Sequence, residues 1–235
     1  MHMAQSTCFH EADARLALWR RAGAEAIGTS LLVLAGSGAG IGAVRAFATM
    51  PGTVLPIVAL ALAGALVAMI VALGSISGGH FNPLITVLQW LAGEREGVCT
   101  VAYVLSQLVG AAFGGGLAAA IWRSTGGDAG GLGWHGLASE IAATAGLMLV
   151  VFGCARSGRT DTGPFAVGAW LVAAVLATPT TSYANPAVIV GALVTSGPLA
   201  LNASSAIAYL VGELAGALVA LLAVVLLFPK QQVSS

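Results

Sequence analysis

The chain has 235 residues, 58% hydrophobic and 8% charged, and its 9 basic and 9 acidic side chains give a formal net charge of zero. Soluble domains carry about 25% charged residues, so a buried core does not account for this composition and lipid is the expected solvent for most of the surface. Zero net charge argues against a nucleic-acid partner.

A bilayer crossing takes about 20 apolar residues, and pieces of about ten read as re-entrant. Residues 1–21 are polar and charged and are followed by an apolar run long enough to span. A cytoplasmic N-terminal segment, rather than a cleaved leader, is expected there. The first repeat, 22–122, is predicted to hold spans at Ala22–Val44, Thr53–Leu73 and Cys99–Trp122. No Asp, Glu, Lys or Arg lies between Arg45 and Glu94. That window is too long for one crossing, so a half-helix starting near Asn82 is predicted inside it. Residues 123–136 read as an extracellular linker. The second repeat, 137–228, is predicted to hold spans at Leu137–Ala155, Pro164–Thr178 and Ser204–Phe228. A second half-helix is placed from about Asn185, within the charge-free window between Asp161 and Glu213. Residues 229–235 read as a cytoplasmic tail. The expected fold class is an all-α membrane protein: six transmembrane helices plus two re-entrant half-helices in an inverted repeat.

Basic residues set the orientation. Arg15, Arg20, Arg21, Arg95, Arg156, Arg159 and Lys230 fall on one side of the predicted spans, and Arg45 and Arg123 on the other. The positive-inside rule then puts both termini in the cytoplasm. Cys8, Cys99 and Cys154 form no CxxC and read as three unpaired thiols.

The two halves can be superposed as sequences. Glu25-x3-Thr29 matches Glu140-x3-Thr144, with Gly38 and Gly153 following at the same offset. Asn82-Pro83 matches Asn185-Pro186, and Gln107-Leu108-x-Gly110-Ala111 matches Glu213-Leu214-x-Gly216-Ala217. Three crossings per half invert the second half, so the two Asn-Pro segments enter from opposite faces and can meet near the midplane. The pairs Gly110-x3-Gly114 and Gly212-x3-Gly216 read as close-packing helix faces.

Asn is a strong helix N-cap and Pro suits the first helical position. Each Asn-Pro is therefore a helix start. Within a membrane, irregular backbone is tolerated only where protein buries it or it lines a wet cavity. Gly74–Phe81 and Thr180–Ala184 are expected to do so, with Ser75, Gly78 and Gly79 close to a pore. Two half-helices meeting N-terminus to N-terminus place about +0.5 charge each at the junction, a field that repels cations and protons. The side-chain amides of Asn82 and Asn185 are expected to offer donors there.

The segment Ser77-Gly78-Gly79-His80-Phe81-Asn82-Pro83 resembles the first signature of the aquaporin (major intrinsic protein) family, and Asn185-Pro186-Ala187 matches the second. The resemblance covers about residues 20–228. It implies an hourglass pore in each subunit of a homotetramer. It also implies that Glu25 and Glu140 are scaffolds for the two pore loops and that His80 lines the cytoplasmic vestibule. Leu84 stands where the family usually has Ala, and Val188 where most members carry an arginine. Counting along the family pattern implies a constriction of Leu62, Ser182, Val188 and either Ala173 or Ala174, since Pro179 leaves the register open by one. That set is small, mostly apolar and uncharged, wider than a strict water channel has. Asn-Pro-Ala-Val after Thr180-Thr181-Ser182-Tyr183-Ala184 resembles a bacterial subset associated with arsenic resistance. This implies arsenite, a neutral trihydroxide sized like glycerol, and a bacterial inner membrane. The resemblance gives Glu213 no role; its twin Gln107 is neutral, so Glu213 is expected to be protonated and hydrogen-bonded.

The expected function is a passive channel for small uncharged solutes such as water and glycerol-like polyols. No catalytic constellation, metal site or cofactor is predicted. The alternative is a proton-coupled secondary transporter using Glu140 or Glu213, motivated by acids within the spans.

Overall fold

A computed structural model describes residues 16–124 and 130–228. Cys8, Arg15 and Lys230 lie outside the described residues, as do most of the predicted N-terminal segment, part of the linker and the tail. The elements in order are α1 (Leu18–Ala46), α2 (Val54–Ser77), α3 (Pro83–Leu91), α4 (Gly97–Ile121), α5 (Leu137–Arg156), α6 (Gly163–Ala177), α7 (Pro186–Val194) and α8 (Ala203–Leu227). Five of them, α1, α2, α4, α5 and α8, are long and apolar enough to cross a membrane, α2 and α5 together with the 3-10 turns before them. The sixth predicted crossing, α6, has 15 residues, about 22 Å of helix. Leu60, Val71, Val109, Phe113, Leu218 and Leu226 are exposed, as an outer surface facing lipid requires.

The repeat seen in the sequence is a repeat in space. α1 packs most extensively on α4, α5 on α8, and α2 meets α6 across the two halves. Lipid gives helices no hydrophobic reason to associate, so small residues that allow backbone contact carry the seams. A Cβ on Gly110 would lie 2.2 Å from the Ala26 carbonyl oxygen, and one on Gly114 2.2 Å from that of Ser30. In the second half, Cβ atoms on Gly212 and Gly216 would lie 2.9 Å and 2.5 Å from the carbonyl oxygens of Leu137 and Ile141. Both predicted glycine pairs are backbone-to-backbone contacts.

α3 and α7 are nine residues each, start with Pro, and are capped by Asn82 and Asn185. The cap is the same in both: Oδ1 accepts from the amide two residues on, Leu84 N or Ala187 N, at 2.9 Å.

The irregular stretch before Asn82 is shorter than expected. α2 continues through Ser77 and ends at Gly78, whose φ of 94° makes it a left-handed cap, a conformation glycine adopts without steric cost. Gly74–Ser77 are therefore helical, and Ser75 lies on an exposed helix face instead of lining a pore.

Candidate functional site

The backbone before each Asn is folded tightly by residues in the left-handed region. In the first loop these are Gly78, Gly79 and Phe81, and in the second Thr181, Ser182 and Ala184. For residues other than glycine this conformation costs about 1–3 kcal/mol each, so something must hold it. Three acids buried to 0% exposure do. Glu25 Oε1 accepts from Ser77 Oγ at 2.6 Å and His80 N at 3.0 Å. Its Oε2 accepts from Phe81 N and Gln107 Nε2, both at 2.7 Å. Glu140 accepts from Tyr183 N at 3.1 Å and Ala184 N at 2.8 Å. Glu213 Oε1 takes the next amide, Asn185 N, at 2.6 Å. An unpaired backbone amide in hydrocarbon costs several kcal/mol; this explains acids in the middle of apolar helices.

The two Asn side chains then cross the repeat. Asn82 Nδ2 donates to Ala184 O at 2.9 Å, and Asn185 Nδ2 donates to Phe81 O at 2.8 Å. An amide nitrogen carries two N–H groups, so each Asn keeps one beyond this bond.

Both Asn side chains line a cavity of about 40 Å³. Its polar lining comes from the two loops: Gly79, His80, Asn82, Ser182, Tyr183 and Asn185. Its apolar lining comes from the helices, notably Leu62, Leu66 and Ile70 of α2, and Val167 and Leu171 of α6. None of the described lining residues is Asp, Glu, Lys or Arg. A single water needs roughly 10–15 Å³, so the space suits a short file. A second cavity of about 10 Å³ lies against Gly36, Ser37, Ala192 and Leu199, and shares Leu62, Tyr183 and Val188 with the first. Those three side chains line both spaces and so lie where the two meet.

A model of the family described as major intrinsic protein matches residues 13–184. The chain belongs to the major intrinsic protein family. It is 34% identical over 212 residues to the aquaglyceroporin AqpS of Rhizobium meliloti (strain 1021), covering 87% of this chain and 88% of that one. It is 32% identical over 177 residues to Aquaporin Z of Photorhabdus laumondii, covering 65% and 73%. It is 33% identical over 209 residues to an aquaporin of Zea mays, covering 83% and 70%. As a major intrinsic protein, it is an integral membrane channel for water or small solutes, and not an enzyme.

In this major intrinsic protein the predicted residues fall as follows. Asn82, Asn185, Leu62, Ser182 and Val188 converge on the cavity. Pro83, Leu84, Pro186 and Ala187 form the starts of the half-helices, and Leu84 is buried beside the cap. Ser182 lines the cavity, and its Oγ is buried without a hydrogen-bond partner among the described residues. His80 lines the cavity, with Nδ1 2.9 Å from Thr86 Oγ1 and Nε2 3.5 Å from Arg95. The Thr86 hydroxyl already donates to Asn82 O at 3.3 Å, so Nδ1 is the donor in its contact with Thr86.

Two expectations need correction. Ala173 is on the exposed face of α6, while Ala174 is buried in the core beside the cavity without lining it. Helical spacing explains this: Val167, Leu171 and Ala174 share the inward stripe, and Ala173 is turned away from it. Val167 and Leu171 are the α6 residues at the cavity wall. Glu140 and Glu213, the proton carriers of the alternative reading, hold loop amides, and neither lines the cavity. The constriction expected from the sequence does not include Tyr183, which lines both cavities. Its hydroxyl donates to Leu199 O at 2.9 Å, pinning the ring there. No spacing rule marks it, because counting back from Asn185 stops at Ser182. Glu213 was detectable as an odd acid, but its tie to Asn185 N was not.

Proposed function

We propose that this chain is a passive channel for water and glycerol-like polyols, with arsenite able to use the same path. The narrow point consists of Leu62, Tyr183 and Val188, with Ser182 beside them, and carries no arginine. The observation that carries this reading is the lining of the cavity: loop groups that hydrogen-bond, helix side chains that are apolar, and no full charge. A small neutral solute with several hydroxyls needs both kinds of wall. Its hydroxyls exchange water for Asn82, Asn185 and Ser182, and its carbon face lies on Leu62 and Leu171. An ion finds no opposite charge to replace its hydration and meets the positive ends of two half-helices. Arsenite as a neutral trihydroxide falls in the same size class. The relative AqpS carries the name aquaglyceroporin, which agrees with a path wider than water alone needs.

The wider arrangement belongs to the same proposal. Residues 22–122 and 137–228 are the two repeats, both termini are cytoplasmic, the subunits form a homotetramer, and the membrane is a bacterial inner membrane. Light-scattering of proteoliposomes under gradients of sucrose, glycerol, urea and arsenite tests the function. Glycerol and arsenite permeation above that of empty vesicles is expected. Water permeation alone would reject the polyol reading, and no permeation at all would reject the channel as described.

A further inference from the structure

The two loop anchors are not equivalent, and the difference is one of charge. In the first half, carboxylate Glu25 is joined by the neutral amide of Gln107, whose Nε2 donates to Glu25 Oε2 at 2.7 Å. In the second half, the position of Gln107 is taken by Glu213. Glu140 accepts the amides of Tyr183 and Ala184, and Glu213 accepts that of the very next residue, Asn185. Amides of three consecutive residues bind two carboxyl groups, so those groups are neighbours. The helices agree, because Gly212 of α8 lies against the Glu140 side chain.

Both acids have 0% exposure. Two ionised carboxylates side by side in an apolar interior would repel each other with three amides to offset them. One oxygen shows where the imbalance sits. Glu213 Oε2 is buried without a hydrogen-bond partner among the described residues, as is the hydroxyl of Thr144. In the first half the equivalent Thr29 hydroxyl donates to Glu25 O at 2.7 Å. The sequence repeat puts Glu213 where Gln107, the donor to Glu25, stands in the first half.

We infer that Glu140 and Glu213 bind one proton between them, carried on Glu213 Oε2 and directed at the Glu140 carboxylate. The protonated acid then does for Glu140 what the Gln107 amide does for Glu25, and each half holds its loop with one net negative charge. The other titratable side chains around the pair are Tyr183 and Tyr209, whose rings are 5.4 Å apart, and the exposed His135 in the turn before α5. α6 and α7 contribute none. The proton is resident: neither acid lines the cavity, so it has no route along the solute path. Its removal at alkaline pH places a second charge beside the first and loosens the hold on Asn185.

Infrared difference spectroscopy on the full chain in lipid vesicles tests this and does not depend on which solute crosses. Wild type minus Glu213→Gln at neutral pH is expected to show the carbonyl stretch of a protonated carboxylic acid, lost in the variant. In wild type that band bleaches as pH rises and solute flux falls with it, whereas in Glu213→Gln the alkaline fall in flux is absent. Loss of an ionised-carboxylate band alone overturns the inference. A protonated band that emerges only when sodium and potassium are removed also overturns it, because the site then holds a cation. If Glu213→Gln does not insert, the wild-type spectrum decides: absence of any protonated-acid carbonyl at neutral pH rejects the pair.

Discussion

Asn82 and Asn185 each donate to the carbonyl of the residue that precedes the other, Ala184 at 2.9 Å and Phe81 at 2.8 Å. The two half-helices are thereby locked to each other at the point where their N-termini meet, and one bond cannot loosen without disturbing the opposite loop. Asn82→Asp separates the functions of this side chain. The carboxylate still caps Leu84 N, but it faces Ala184 O with an acceptor in place of a donor. That leaves a buried carbonyl unpaired at a cost of about 1–3 kcal/mol and cancels part of the positive half-helix field. A lower melting temperature in detergent and faster proton entry, read with a pH dye inside vesicles, are expected. A variant as proton-tight as wild type would show that the half-helix field is not what rejects protons.

Val188 lies at the junction of both cavities. Val188→Arg puts a long cationic side chain into the narrow point among Leu62, Tyr183 and Ser182. Glycerol and arsenite flux in vesicles should drop more than water flux, because a file of waters needs less width than a polyol. Equal loss for all solutes would mean that the variant closes the path instead of filtering it.

How far the sequence reveals this arrangement depends on the kind of signal. Elements marked by charge, Asn-Pro or paired glycines were legible: all eight helices lie near their expected places, and Gly110 and Gly216 make the contacts their spacing implies. Features set by helix phase or loop conformation were less so. Nothing in the alanine pair of α6 says which one turns outward, and Pro179 obscured the register. Gly74 looked like the start of a loop, but a helix tolerates glycine until one must take a positive φ, and Gly78 does. Tyr183 reaches the narrow point because Thr181 and Ser182 adopt left-handed backbone, a choice their residue types do not announce.

The glycine seams give a sharp stability contrast within one helix. A Cβ on Gly114 would sit 2.2 Å from Ser30 O, whereas one on Gly116 meets nothing within 4 Å. Gly114→Val must push α4 off α1, and little folded protein should be recovered by size-exclusion chromatography. Gly116→Ala is expected to be neutral or stabilising by roughly 0.5–1 kcal/mol, since alanine loses less backbone freedom. Comparable yields of the two variants would contradict the close approach of α1 and α4.

The three buried acids differ in how many donors depend on them, and this orders the effect of removing each. Glu25 accepts four hydrogen bonds from Ser77, His80, Phe81 and Gln107. Glu140 accepts two backbone amides and Glu213 one. Each donor left unpaired in the interior costs about 1–3 kcal/mol. Truncation to alanine should therefore lower thermal stability in the order Glu25, Glu140, Glu213, with Glu25→Ala the least recoverable. Glu25→Gln should fall between wild type and Glu25→Ala, because the amide keeps one acceptor but presents a donor to groups that are themselves donors. Differential scanning fluorimetry of the four variants in one detergent gives the ranking. A melting temperature for Glu213→Ala below that of Glu25→Ala would mean that donor count does not govern how these loops are held.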